Sequence, residues 1–190
     1  MPLEVCVKSY FMMIMLTLVD EFFWPDLSQF SYDQLGNKDH KYLYYIPNAD
    51  HSLSGTDALQ AVTSFYYGSA NGLEMPLYNF TAGLGQYGTT LEVNVLNGKI
   101  PTKVLLWMAH SKTRDFRVET IGKTWESAPL EIKSDNLHWS VFIKNPYMNE
   151  NYVAFFIELT FDNYWKLPIS APLKFTTSVY ISPHIMPCEY

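Results

Sequence analysis

The thirteen residues Lys41 to Leu53, KYLYYIPNADHSL, constrain this chain more than any other stretch. Tyr42 to Ile46 are aromatic or branched with no Gly or Pro, so they read as a buried strand, and Pro47, with no N–H to give a ladder, ends it. His51 therefore falls on a loop just beyond a strand end, where a rigid backbone can hold an accessible side chain in place. The turn formers around it, Asn48, Asp50 and Ser52, are equally what an ordinary exposed turn would carry.

A second loop of the same kind upstream favours chemistry. Phe11 to Val19, FMMIMLTLV, is an apolar run of strand length that stops at Asp20-Glu21 and continues as Phe22-Phe23-Trp24-Pro25. Between the two runs, Asp26 to Leu35 would place Leu27, Phe30 and Leu35 on one helical face before Gly36-Asn37 ends the helix. Strand, helix and strand with short connections form a right-handed crossover, which sets the strands parallel. Asp20 and His51 then leave the same end of neighbouring strands, where an acid can orient a histidine and stabilise its imidazolium.

DEFFWPD (Asp20 to Asp26) together with KYLYYIPNADHSL resembles the PhoPQ-activated pathogenicity-related family, which includes the secreted autocrine proliferation repressor proteins and has an α/β-hydrolase-like catalytic domain. The resemblance implies that Asp20 is the acid and His51 the histidine of a triad whose chain order is Ser, then Asp or Glu, then His. It also implies that VLLWMAHSKTRDFRVETIGKTW and APLKFTTSV belong to the family's appended β-rich domain, and it makes secretion plausible.

One part of that pattern is missing. A G-x-S-x-G nucleophile elbow would have to precede Asp20, where the sequence offers nineteen residues with no Gly and with Ser9 as the one serine. Losing a triad serine costs about a millionfold in turnover, so the chain is expected to be silent for acyl transfer by itself. With two parallel strands present, the outer edge at Phe11 to Val19 is expected to be unpaired and to favour self-association or a protein partner.

Thirteen Lys and Arg against 19 acidic residues give a net charge of −6, without the clustered basic face that nucleic-acid binding needs. Lys8 and the apolar Tyr10 to Val19 imitate a signal-peptide core, but no small-residue cleavage site follows, and the run is too short to span a membrane. Cys6 and Cys188 read as two free thiols. Asn79-Phe80-Thr81 is a glycosylation sequon, relevant if the chain is secreted. His40, His138 and His184 show no metal-ligand spacing, and no cofactor is expected.

Downstream, Ser54-Gly55-Thr56-Asp57 has capping-box spacing, and Leu59, Val62, Phe65 and Tyr66 would share the buried face of a helix that stops at Gly68 to Gly72. Leu73 to Gly88 reads as an irregular linker because of Pro76, Gly83, Gly85 and Gly88. From Thr89 the period is two: Leu91, Val93 and Val95; Val104 to Met108; Phe116 and Val118; Leu137, Trp139, Val141 and Ile143; Tyr152 to Phe161, with one dry and one mixed face; and Phe175 to Ile181. Asn97-Gly98 signals a hairpin; His110, Arg114, Asp115 and Arg117 cluster between two strands, where Arg114-Asp115 is equally what an ordinary surface ion pair would look like.

The expected fold class is thus α/β plus all-β. The C-terminal part of an α/β-hydrolase-like parallel sheet (1–72) leads through a linker (73–88) to an antiparallel immunoglobulin-like β-sandwich (89–190). Two functions follow: a truncated hydrolase relative retaining Asp20 and His51, or a secreted signalling protein acting through the sandwich.

Overall fold

The computed structural model describes residues 11–36, 40–132, 137–146, 151–163 and 171–184; Cys6, Cys188 and the segment before Phe11 lie outside them. In chain order the elements are β1 (Met12–Thr17), α1 (Ser28–Ser31) between the 3-10 turns Pro25–Leu27 and Tyr32–Gln34, β2 (Lys41–Ile46), α2 (Ala58–Ala70), β3 (Tyr78–Gly85), β4 (Gly88–Val95), β5 (Lys103–Ser111), α3 (Val118–Ile121), β6 (Glu126–Pro129), β7 (His138–Lys144), β8 (Tyr152–Phe161), β9 (Leu173–Thr176) and β10 (Tyr180–Ser182). Among the described residues the chain is mostly β, in three sheets.

β1 and β2 pair in parallel, Met12 opposite Lys41 through Thr17 opposite Ile46, as the two apolar runs predict. All six residues of β2 are buried. Leu43 and Tyr45 face one apolar cluster, while Tyr44 and Ile46 face Ala58 and Ala61 of α2. Among the described residues its far edge forms no ladder with another strand but lies against β9: the Leu43 N–H donates to the Tyr78 hydroxyl at 3.2 Å and the Tyr45 N–H to Thr176 Oγ1 at 3.2 Å. Side chains of the β-rich part therefore close this edge, satisfying buried backbone donors that would otherwise be costly.

The other edge of the pair is open among the described residues. The Met12 and Leu18 N–H groups bond to the β2 side, at His40 O and Ile46 O. The period of two then aims the N–H groups of Met13, Met15 and Thr17 outward.

The remaining strands form the antiparallel sheets β3-β4-β7 and β10-β8-β5-β6, with β9 also on β8. Leu91, Val93 and Val95 of β4 and Trp139 of β7 share one core with Val153, Phe155, Ile157, Leu159 and Phe161 of β8. The second face of β8 is not merely mixed. Ala154 and Phe156 are buried with Leu18, Val19, Leu43 and Tyr45, because β1 and β2 lie over that end of the sheet. Burying a Phe or Ile side chain is worth about 1.5–3 kcal/mol, so this doubly covered strand is a major contributor to stability.

Several expectations need correction. Asp26 to Leu35 is three short turns rather than one helix, and Leu27 and Phe30 point outward, because Pro25, Asp26, Ser28 and Tyr32 take the inward positions. The Ser54 capping box does not form. The 58–70 helix begins at Ala58, whose N–H reaches the Thr56 hydroxyl, and Asp57 turns instead to Tyr44 and Lys174. Its buried face is Ala58, Ala61, Ser64 and Gly68, small residues that let it approach β2, with Phe65 buried as expected; Leu59 and Tyr66 are 72% and 70% exposed, and Val62 is exposed with them.

The presumed linker contains β3, which turns through Gln86-Tyr87 into β4. Gly88 is required there: a Cβ would fall 2.3 Å from the Ile143 carbonyl oxygen of β7. Asn97-Gly98 is a turn but not a hairpin, since β4 and β5 belong to different sheets; the Asn97 side chain instead ties the crossing to Met75 O and the Leu77 N–H. Phe116 is fully buried in a loop, and Val118 opens α3, so that stretch is no strand. Thr177 to Val179 interrupt the last strand between β9 and β10, the Thr177 hydroxyl taking the Ile157 N–H.

Candidate functional site

Just beyond the parallel pair, the Leu18 N–H still reaches Ile46 O and the Val19 N–H reaches Ala49 O, so both chains leave the sheet together. Asp20 lies three residues past β1 and His51 five past β2, and their side chains meet: His51 Nδ1 is 2.9 Å from Asp20 Oδ2.

Asp20 is 6% exposed and heavily bonded. Oδ2 also accepts from the Thr17 hydroxyl at 2.8 Å, and Oδ1 accepts the backbone N–H groups of Phe22 at 2.8 Å and Phe23 at 3.2 Å. Burial pushes the carboxyl pKa up, but the hydrogen bonds from His51, Phe22, Thr17 and Phe23 outweigh it and hold the group below its ordinary value. Asp20 is thus an ionised acceptor. Its partner responds in the opposite sense: the hydrogen bond to Asp20 and that carboxylate's charge raise the His51 pKa, with Glu21 adding to the effect against a small desolvation penalty. A carboxylate at Nδ1 fixes the proton there, so in the neutral ring Nε2 carries the lone pair.

The His51 loop is held from both sides. The Asn48 side chain accepts the Trp125 N–H and donates to Trp125 O, each at 3.0 Å, and Glu21 Oε2 takes the His51 N–H at 3.3 Å. Phe22 meets the imidazole edge-on with centroids 5.2 Å apart. Leu53 has φ of +55°, a conformation costly for a branched side chain that persists where surroundings impose it. A cavity of about 310 Å³ opens beside the pair, lined by Asp20 and His51 and by apolar residues including Met15, Phe23, Trp24, Leu27 and Leu53.

The wall containing Trp24 is pinned by an ion pair that sequence reasoning missed. Arg114 does not pair with its neighbour Asp115. Its Nη2 reaches Asp26 Oδ2 at 2.5 Å, both side chains are buried, and its guanidinium lies over the Trp24 ring. Asp115 is free to form a forked pair with Arg117, which holds its carboxyl down at about 2. Thr17 was also missed, although a single hydroxyl in an apolar run three residues before an acid is a readable signal. His110 lies apart from both arrangements, on a separate cavity with Ser111 and Thr120.

Among the described residues, no group of three or more His, Cys, Asp or Glu is placed to hold a metal, and no helix is long and apolar enough to cross a membrane.

The sequence model of the PhoPQ-activated pathogenicity-related protein family matches residues 8–117. Autocrine proliferation repressor protein A of Dictyostelium discoideum is 30% identical over 186 residues, an alignment that covers 88% of this chain and 37% of that protein. The chain thus spans well under half the length of this relative. No solved structure matches it.

Proposed function

The chain belongs to the PhoPQ-activated pathogenicity-related protein family, and on that premise we propose that Asp20 and His51 are the acid and the histidine of a Ser-Asp-His triad for ester or amide cleavage. The observation that carries this reading is the 2.9 Å contact between a buried, fourfold-bonded carboxylate and Nδ1 of an accessible ring. In this arrangement Nε2 acts as general base toward an attacking oxygen, and Asp20 steadies the imidazolium that results.

The 190 residues contain no G-x-S-x-G, so by itself this chain supplies two parts of the machine and not the third. The fold proposed to go with it is an α/β-hydrolase-like β1-α1-β2-α2 portion, running to about residue 72, joined to an immunoglobulin-like sandwich. The fully buried β2, parallel to β1, supports the first part; the shared core between two antiparallel sheets supports the second.

A fluorophosphonate probe together with p-nitrophenyl acetate tests the assignment. The purified chain is expected to take no fluorophosphonate on serine, and whatever ester hydrolysis it shows above solvent should vanish in His51→Ala. Serine labelling that depends on His51 would refute the missing nucleophile. Hydrolysis indifferent to His51→Ala would refute the role given to the ring.

A second reading is favoured by the extent of the similarity to the proliferation repressor, which runs through the β-rich part as well as the site. In it the chain is a secreted signalling or interaction protein that acts through its β-sandwich, and the open β1 edge is a place where a protein partner or a second copy would add. The exposed Leu59, Val62 and Tyr66 of α2 add a second uncovered apolar surface that suits a protein partner.

A further inference from the structure

The outer face of the β10-β8-β5-β6 sheet is apolar where β2 covers it and polar beyond. Ala154 and Phe156 lie in the cluster under β2, whereas Glu158 and Thr160, further along the same face of β8, border a cavity of about 440 Å³. Lys103 of β5 stands opposite Thr160 on one side and Lys174 of β9 on the other. Asp57, Tyr44 and the Ser54 to Thr56 loop also line the cavity.

Glu158 is the member that points to a ligand. It is 5% exposed, yet among the described residues its carboxylate receives only the Trp107 indole N–H at 3.1 Å and the Thr160 hydroxyl at 3.4 Å. An ionised carboxylate offers about four acceptor positions, and leaving a buried one half-served is costly. Burial accordingly raises its pKa, against the pull of Lys174, the Trp107 hydrogen bond and Lys103. Acceptor capacity bordering an open cavity matches a donor from outside the chain.

The surrounding charges narrow what that donor can be. Lys103 and Lys174 flank Glu158, which disfavours a cation, while Asp57 beside Glu158 disfavours an anion. Lys174 is already paired with Asp57 at 2.5 Å and Lys123, on the same lining, with Asp50 at 3.6 Å, so the walls are rich in donors and acceptors but nearly balanced in charge. Trp107, stacked parallel to Phe156, adds a half-buried indole. Hydroxyl donors on a compact ring with an apolar face meet each of these conditions. We propose that this cavity is a binding site for a neutral carbohydrate, with Glu158 and Asp57 accepting from ring hydroxyls, Lys103 and Lys174 donating to ligand oxygens, and Trp107 packing against the ring.

Saturation-transfer NMR of the full chain with the methyl glycosides of glucose, galactose, mannose and N-acetylglucosamine reads this directly. At least one glycoside is expected to bind saturably. Glu158→Gln, which keeps the shape, should weaken it by about tenfold or more. Ser54→Trp, at an exposed residue on the rim, should weaken it as much by filling the mouth while leaving the melting curve unchanged. His51→Ala should leave binding within about twofold, which separates this cavity from the Asp20–His51 site. Absence of saturable binding by all four glycosides would overturn the proposal. So would binding unchanged in both Glu158→Gln and Ser54→Trp, or preference for the neutral diamide N-acetylglycinamide over every glycoside.

Discussion

Arg114 Nη2 lies 2.5 Å from Asp26 Oδ2 across 88 residues of sequence, and both side chains are almost wholly withdrawn from water. The pair ties the turn at Pro25 to the loop after β5, and so fixes the Trp24 wall of the cavity beside His51.

Removing one charge strands the other where it cannot be hydrated. Asp26→Asn and Arg114→Met should each lower unfolding free energy by about 3–5 kcal/mol. The double variant Asp26→Leu with Arg114→Met should recover most of the loss, because no uncompensated ion remains. Urea unfolding of the three variants checks this. Single losses below about 1 kcal/mol would mean that water reaches the pair.

The Asp20–His51 contact has a definite signature in pH. His51 has its folded pKa raised above the unfolded value of about 6.5, so its contribution to stability is complete below that pH and is lost as pH rises through the folded pKa. Asp20 has its folded pKa lowered from about 3.9, so its contribution is present above that value and is lost as pH falls through the folded pKa. The pair thus stabilises most between the carboxylate and imidazole ranges. NMR titration of the His51 ring should show the raised midpoint, and Asp20→Asn should bring it back toward the ordinary value. An unmoved midpoint in Asp20→Asn would mean the contact does not persist in solution.

The open edge of β1 makes an association prediction. With the N–H groups of Met13, Met15 and Thr17 aimed outward, the chain should self-associate with rising concentration in sedimentation experiments. Met15→Pro removes one outward donor at a position where proline needs no ladder bond, and should shift the equilibrium toward monomer. A wild-type chain that sediments as a monomer at every concentration would dispose of this role for the edge.

The parts of this molecule readable in its sequence are those where one strong local signal coincides with the tertiary solution. Phe11 to Val19 and Tyr42 to Ile46 are apolar runs of strand length, the second covered on both faces, and Asp20 and His51 follow from what ends them. In helix α2 hydrophobicity points rightly to Phe65 but is a poor guide to burial at Leu59, Val62 and Tyr66. Against the bulk of Tyr44 and Ile46, the fold uses Ala58 and Ala61 for close approach and leaves Leu59 outside. β3 is hidden because Gly83 and Gly85 resemble linker residues, as does Gly88 at the start of β4 until β7 is seen pressing on it. Arg114 carries no sequence sign of its partner, since an adjacent Asp115 offers a nearer candidate and the real one stands in another element.

The hydroxyl of Tyr78 joins the two halves of the chain, and its removal should be felt at a place that can be named in advance. It accepts the Leu43 N–H at 3.2 Å and donates to Thr176 O at 2.9 Å, so one oxygen closes the far edge of β2 against β9. Tyr78→Phe keeps the ring, which stacks with Phe175 at 5.9 Å, and deletes that bridge together with the hydroxyl's contact to Tyr32. Two buried backbone groups are then left without partners, at about 1–3 kcal/mol each, less whatever water regains. Hydrogen exchange should accelerate at the Leu43 amide while the β5–β8 ladder keeps its protection. Should the Leu43 amide exchange no faster in Tyr78→Phe than in wild type, the edge of β2 must be closed by something other than this hydroxyl, and the joining of the parallel pair to the β-rich part would have to rest on the remaining ties, such as Tyr45 N–H to Thr176 Oγ1 and Asn48 to Trp125, together with apolar packing.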